Sequence, residues 1–153
     1  MSTADTAQPY THTLRITFTH DGPNLEINRI QRVAMLAPAS QSAQHENQAG
    51  YWLEVRDDKG NLLYWRPLHD PMRHDIESYG DAPGAPLRRQ PASATKGEFE
   101  VLIPDLPAAH TFRLHGPSAG TRSTYASSGP LCEHSFDELR NLAARATNQG
   151  GAR

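Results

Sequence analysis

The sequence predicts a mainly β protein: an antiparallel β-sandwich of about six to seven short strands, with a short C-terminal amphipathic helix. Three observations predict it. Apolar residues alternate with polar ones at 14–18, 51–55 and 99–103, the period-two pattern of half-buried strands. Turn-forming clusters separate these runs, at Asp21-Gly22-Pro23-Asn24, at Asp57-Asp58-Lys59-Gly60-Asn61 and at Pro104-Asp105-Leu106-Pro107. Apolar residues at helical spacing occur only after Ser135.

The elements follow in order. Residues 1–11 are polar and predict an unstructured N-terminal tail. Leu14, Ile16 and Phe18 give the first strand its apolar face. The next run carries Leu25, Ile27, Ile30 and Val33, and its parity changes between Ile27 and Ile30. A bulge or break near Asn28 follows from that change. Pro38 ends the run, and 39–49 is a loop without periodicity. The clearest unit is a hairpin, with Tyr51, Leu53 and Val55 on one strand and Leu62 to Arg66 returning. Two registers are open. One sets Val55 against Tyr64 and Leu53 against Arg66; the other uses Gly60 in a bulged turn and sets Val55 against Leu63 and Leu53 against Trp65. The second gathers the apolar side chains on one face, so it is the expected one. It makes Trp65 core and puts Trp52 opposite Arg66 on the outer face, in reach of a cation–π contact.

Residues 67–97 form an irregular insertion rich in proline and glycine. Phe99, Val101 and Ile103 make a further strand, and 111–114 another. The domain so defined spans 12–116, followed by a Ser/Gly/Thr-rich linker at 117–134. Ser135-Phe136-Asp137-Glu138 is a capping box. Phe136, Leu139, Leu142, Ala143 and Ala146 then mark a helix over 135–147, too short to stand alone in water and therefore docked. Residues 148–153 are a tail. Strand spacing and the 51–66 hairpin resemble immunoglobulin-like and fibronectin type III sandwiches over about residues 12–115. The paired cysteines and central tryptophan of a true immunoglobulin domain are absent, so the resemblance implies a fold and carries no functional residue.

Composition narrows the function classes. Leu, Ile, Val and Phe supply 26 of 153 residues, enough for one modest core. Net charge is −2, and the 13 Arg and 2 Lys are scattered, which argues against tracking a nucleic-acid backbone. No apolar run reaches the ~18 residues of a membrane span, and no basic-then-apolar leader is visible. With one cysteine, Cys132, the expectation is a cytoplasmic protein, or one exported without a cleaved signal. No resident cofactor is expected.

Three sets of residues could carry chemistry. Gly116-Pro117-Ser118-Ala119-Gly120 matches G-x-S-x-G, but the residues after it are not helix-like, and the only histidine downstream, His134, has as the only acid before it its immediate neighbour Glu133, so a linker is the better reading. His69, Asp70, His74 and Asp75, with His45-Glu46 in another loop, form the densest cluster of metal-ligand types. A loop could converge them on one ion as a metal-dependent enzyme needs, whereas a strand or helix could not. Trp52, Tyr64 and Arg66 fall together on the expected outer face of the hairpin, with Glu54 and Arg56. Trp, Tyr and Arg are the side chains enriched at binding hot spots. A protein-interaction module, binding an unidentified partner, is thus the leading expectation. The metal enzyme is an alternative, and a carbohydrate-binding module stacking sugars on Trp52 and Tyr64 is a second one. Unpaired strand edges offer another route to a partner, with 14–18 and 99–103 as candidates.

Overall fold

A computed structural model describes residues 9–22, 24–41, 50–69, 71–72, 75–78, 82–91, 96–117 and 129–150. They form nine strands and a helix: β1 (Thr13–Asp21), β2 (Asn24–Val33), β3 (Tyr51–Arg56), β4 (Leu62–Leu68), β5 (Asp75–Ser78), β6 (Arg88–Pro91), β7 (Lys96–Pro104), β8 (Thr111–Gly116), β9 (Gly129–Ser135) and α1 (Phe136–Gly150). Seven of the strands build two antiparallel sheets, ordered β2-β1-β7 and β4-β3-β8-β9. The expected β-sandwich with a C-terminal helix is what the chain forms. A separate hairpin, β5 with β6, lies inside the stretch read as an irregular insertion.

The core sits between the sheets. Leu14, Ile16 and Phe18 on β1, Ile30 on β2, and Val101 and Ile103 on β7 face Leu53, Val55, Tyr64, Phe112 and Leu114 of the other sheet. Phe18 stacks on Phe99 at 5.3 Å and meets Phe112 at 6.4 Å. β1 was a candidate edge; it is the central strand of its sheet. Both of its backbone edges are therefore paired, and on its outer face Thr13 and Thr17 are buried. The parity change in β2 is a bulge: Thr17 pairs with Arg29 and Phe18 with Ile27, leaving Asn28 over.

The hairpin takes the register that apolar matching disfavoured. Leu53 pairs with Arg66, Glu54 with Trp65 and Val55 with Tyr64, and the register shifts between Val55 and Arg56. Turn chemistry explains this. Asp57 Oδ1 accepts from the Lys59 and Asn61 amides at 2.9 and 2.7 Å, and Gly60 adopts φ +83°. That loop and the bulge beside it set the alignment, with three consequences. Tyr64 is a core residue. Trp65 is buried, but on the face opposite Leu53. Pro67, not Arg66, stands across from Trp52.

Two boundaries also move. Tyr10, assigned to the tail, accepts from the Ala37 amide at 3.0 Å, so the ordered chain starts earlier. Residues 129–134, assigned to a linker, belong to β9, which runs straight into α1. The helix is longer than expected. Its first amide, Phe136, donates to His110 O at 2.9 Å, and Asp137 and Glu138 suit the positive end of the helix dipole. Phe136, Leu139 and Ala143 enter the core, and α1 packs along β2. The helix thereby seals one open side of the sandwich.

Candidate functional site

Because directly paired residues share a face, the outer face of the four-stranded sheet can be read from its register. One row crosses all four strands: Trp65, Glu54, Arg113 and Glu133. The next row is Pro67, Trp52, His115 and Pro130. Arg56 follows on β3, on the same face as Glu54.

Glu54 organises these rows. Its side chain is only 5% exposed. Arg56 grips it with both arms, Nε to Oε1 at 3.0 Å and Nη2 to Oε2 at 2.9 Å. Arg113 Nη1 lies 3.4 Å from Oε1 and its Nε bonds Glu133. His115 Nε2 approaches Oε1 to 3.2 Å, but off the line of a hydrogen bond. Burial alone would push the Glu54 carboxyl up. The neighbouring His115 and Arg56 outweigh it and bring the carboxyl down from 4.5 to about 2, so Glu54 is anionic at neutral pH. Trp52 lies flat on His115, with ring centroids 4.7 Å apart and planes 6° apart. One face of the indole is thus taken up by a protein ring.

The residues proposed from sequence do not assemble as a group. Trp52 is on this outer face. Tyr64 is inside, its hydroxyl donating to Pro38 O at 2.6 Å, and burial raises the phenol to about 12. A buried Tyr64 cannot stack a sugar, which removes the paired platform of the carbohydrate reading. Arg66 sits across from Leu53, away from Trp52. His69 is exposed just after β4, and Asp75 opens β5, while Asp70, His74, His45 and Glu46 lie outside the described residues. Among the described residues, no three or more His, Cys, Asp or Glu side chains are grouped to hold a metal ion.

Gly116 of the G-x-S-x-G sequence ends β8, and Ser118 lies outside the described residues. Gly116 has a packing reason to lack a side chain: a Cβ there would stand 2.6 Å from the Tyr51 ring and 2.7 Å from Leu131 Cδ1. Cys132 is partly buried, and burial raises its thiol to about 11, so it is not a nucleophile at neutral pH.

Sequence reasoning missed Arg113, His115 and Glu133. The signal was present as Arg113 and His115 two apart, matching Glu54 and Trp52 two apart, but strand order is needed to bring those pairs together. No helix among the described residues is long and apolar enough to cross a membrane. Compared with family models, with curated proteins and with solved structures, the chain matches none of them.

Proposed function

We propose that the chain is a non-catalytic protein-interaction module whose contact surface is the outer face of the four-stranded sheet. The observation that carries this reading is the buried Glu54 carboxylate holding Arg56 and Arg113 beside Trp52. Trp and Arg dominate binding hot spots. Arginine's usual handicap is the conformational entropy lost on docking, and an arginine already held by a carboxylate loses less. Glu133 and Pro130 give the patch an exposed rim. An immunoglobulin-like kinship belongs to the same proposal. Two antiparallel sheets support it, although β1 lies at the centre of its sheet, where the immunoglobulin arrangement has its first strand at an edge. A cytoplasmic location is likewise proposed, from the lone cysteine.

Site-specific photocrosslinking tests the reading. A photoreactive residue replaces Glu133 in the full chain, and a control chain carries it at Arg145 on α1. The proposal expects a reproducible protein adduct from position 133, lost on Trp52→Ala and not formed from position 145. Adducts of equal yield at both positions, or an adduct indifferent to Trp52→Ala, overturn it.

A further inference from the structure

We propose that the edge of β7 turned away from β1 takes an extended, basic segment of a protein partner as an added strand. The surface differs from the outer face of the four-stranded sheet, so either proposal can fail without the other. Among the described residues, β7 pairs with β1 alone. The remaining edges are flanked. Residues 38–41 run along β4, where Trp65 O accepts from the Gln41 amide at 2.9 Å. The helix α1 lies along β2 and touches β9. β7 is nine residues long and keeps unbroken register with β1, so its outward backbone groups form a regular row, the template that strand addition uses.

The side chains of β7 specify the partner's chemistry. Glu98 and Glu100 share the outer face of the sheet. Glu98 accepts from Asn28 Nδ2 at 3.2 Å, and Glu100 from Thr17 Oγ1 at 3.4 Å. Arg15 Nε is 3.9 Å from Glu100, whose side chain stays 48% exposed. In an added antiparallel strand, the residues opposite Glu98 and Glu100 fall on that same face, where Lys or Arg is favoured and Asp or Glu is rejected. The residue between them falls beside the half-buried Phe99 and is apolar. Lys96 Nζ is 3.3 Å from Asp21 Oδ2, so the lysine that opens the strand is already paired with a carboxylate. The recognised pattern is therefore basic and apolar residues in alternation, read by backbone pairing along β7 and by the carboxylates of Glu98 and Glu100.

The test uses the full chain and two fluorescein-labelled octapeptides, one alternating arginine with valine and one alternating glutamate with valine. The arginine peptide is expected to bind saturably in anisotropy titrations and to slow amide exchange over 96–104. The double variant E98K/E100K is expected to weaken the arginine peptide about tenfold and to favour the glutamate peptide. Glu26→Gln, two strands away on β2, is expected to leave the arginine peptide's affinity unchanged. Equal binding of both peptides, protection outside β7, or full affinity in an E98K/E100K chain that melts like the parent overturns the proposal. If that double variant does not fold, the exchange map of the parent chain with the arginine peptide decides between the same outcomes.

Discussion

Arg140 donates from Nε to Asp105 Oδ1 at 2.8 Å, while Arg32 donates to the other oxygen of the same carboxylate at 2.8 Å. The segment after β7, the edge strand β2 and the helix α1 thus meet at one side chain that is 8% exposed. Arg140 also donates to Leu106 O at 2.7 Å and lies over the Phe136 ring, 4.9 Å from its centroid.

That junction makes α1 part of the fold. Asp105→Asn is expected to cost about 1–3 kcal/mol, because two charged hydrogen bonds lose their anion. Leu139→Ala, at a fully buried site, is expected to cost about 2–5 kcal/mol. Urea melts followed by tryptophan fluorescence measure both. A Leu139→Ala chain as stable as its parent would show that the helix is an appendage.

Acid stability should report on Glu54. Its folded-state carboxyl titrates at about 2, against 4.5 ordinarily. The folded value is the lower one, so the contribution is present above about 4.5 and fades as pH falls from there towards 2. Its size is at most about 3 kcal/mol. Glu54→Gln should lower stability at pH 7 and flatten the decline between pH 4.5 and 2. Chemical denaturation at a series of pH values gives both slopes, and parallel curves for the two proteins would contradict the assignment.

Tyr64 predicts the alkaline side. Burial lifts its phenol from 10 to about 12. Here the folded value is the higher one, so stability is complete below pH 10 and declines as pH rises through 10 to 12. Ultraviolet titration should show a tyrosine step near pH 12, and Tyr64→Phe should abolish that step. The substitution also strands the Pro38 carbonyl, at a cost of about 1–2 kcal/mol.

Gly116 gives a packing prediction. Gly116→Ala places a methyl group against Tyr51 and Leu131 and should cost about 1–3 kcal/mol. Tyr51→Ala in the same chain removes the ring side of the clash and leaves Leu131 alone against the methyl group. The double variant should therefore be more stable than the sum of the two single losses implies, and strict additivity would refute the clash.

Most of the fold was legible because strands with one buried face announce themselves. Leu14, Ile16 and Phe18 alternate cleanly, and the parity break at Asn28 marked a real bulge. The hairpin register departs from the one apolar matching favours, in which Leu53 meets Trp65; Leu53 meets Arg66 instead. Asp57 and its loop overruled that preference, and Trp65 found burial on the opposite face. β9 was illegible for a different reason. Its Gly129, Pro130, Cys132 and His134 lack a strand's usual composition, and pairing with β8 holds it in place. The outer face is only half legible because Trp52 and Glu54 share one strand, whereas Arg113 and Glu133 join them through strand order, which no local pattern encodes.

The position of β1 between β2 and β7 has a kinetic consequence. β2 follows β1 at once and can zip to it as a local hairpin. The second neighbour, β7, arrives only after the whole β3–β6 stretch has been threaded between them. Closing so wide a loop must precede any reward from the β1–β7 ladder, so this protein should reach its native state slowly for its size. Until then, one side of Leu14, Ile16 and Phe18 stands open, and that interval is when chains are most prone to stick to each other.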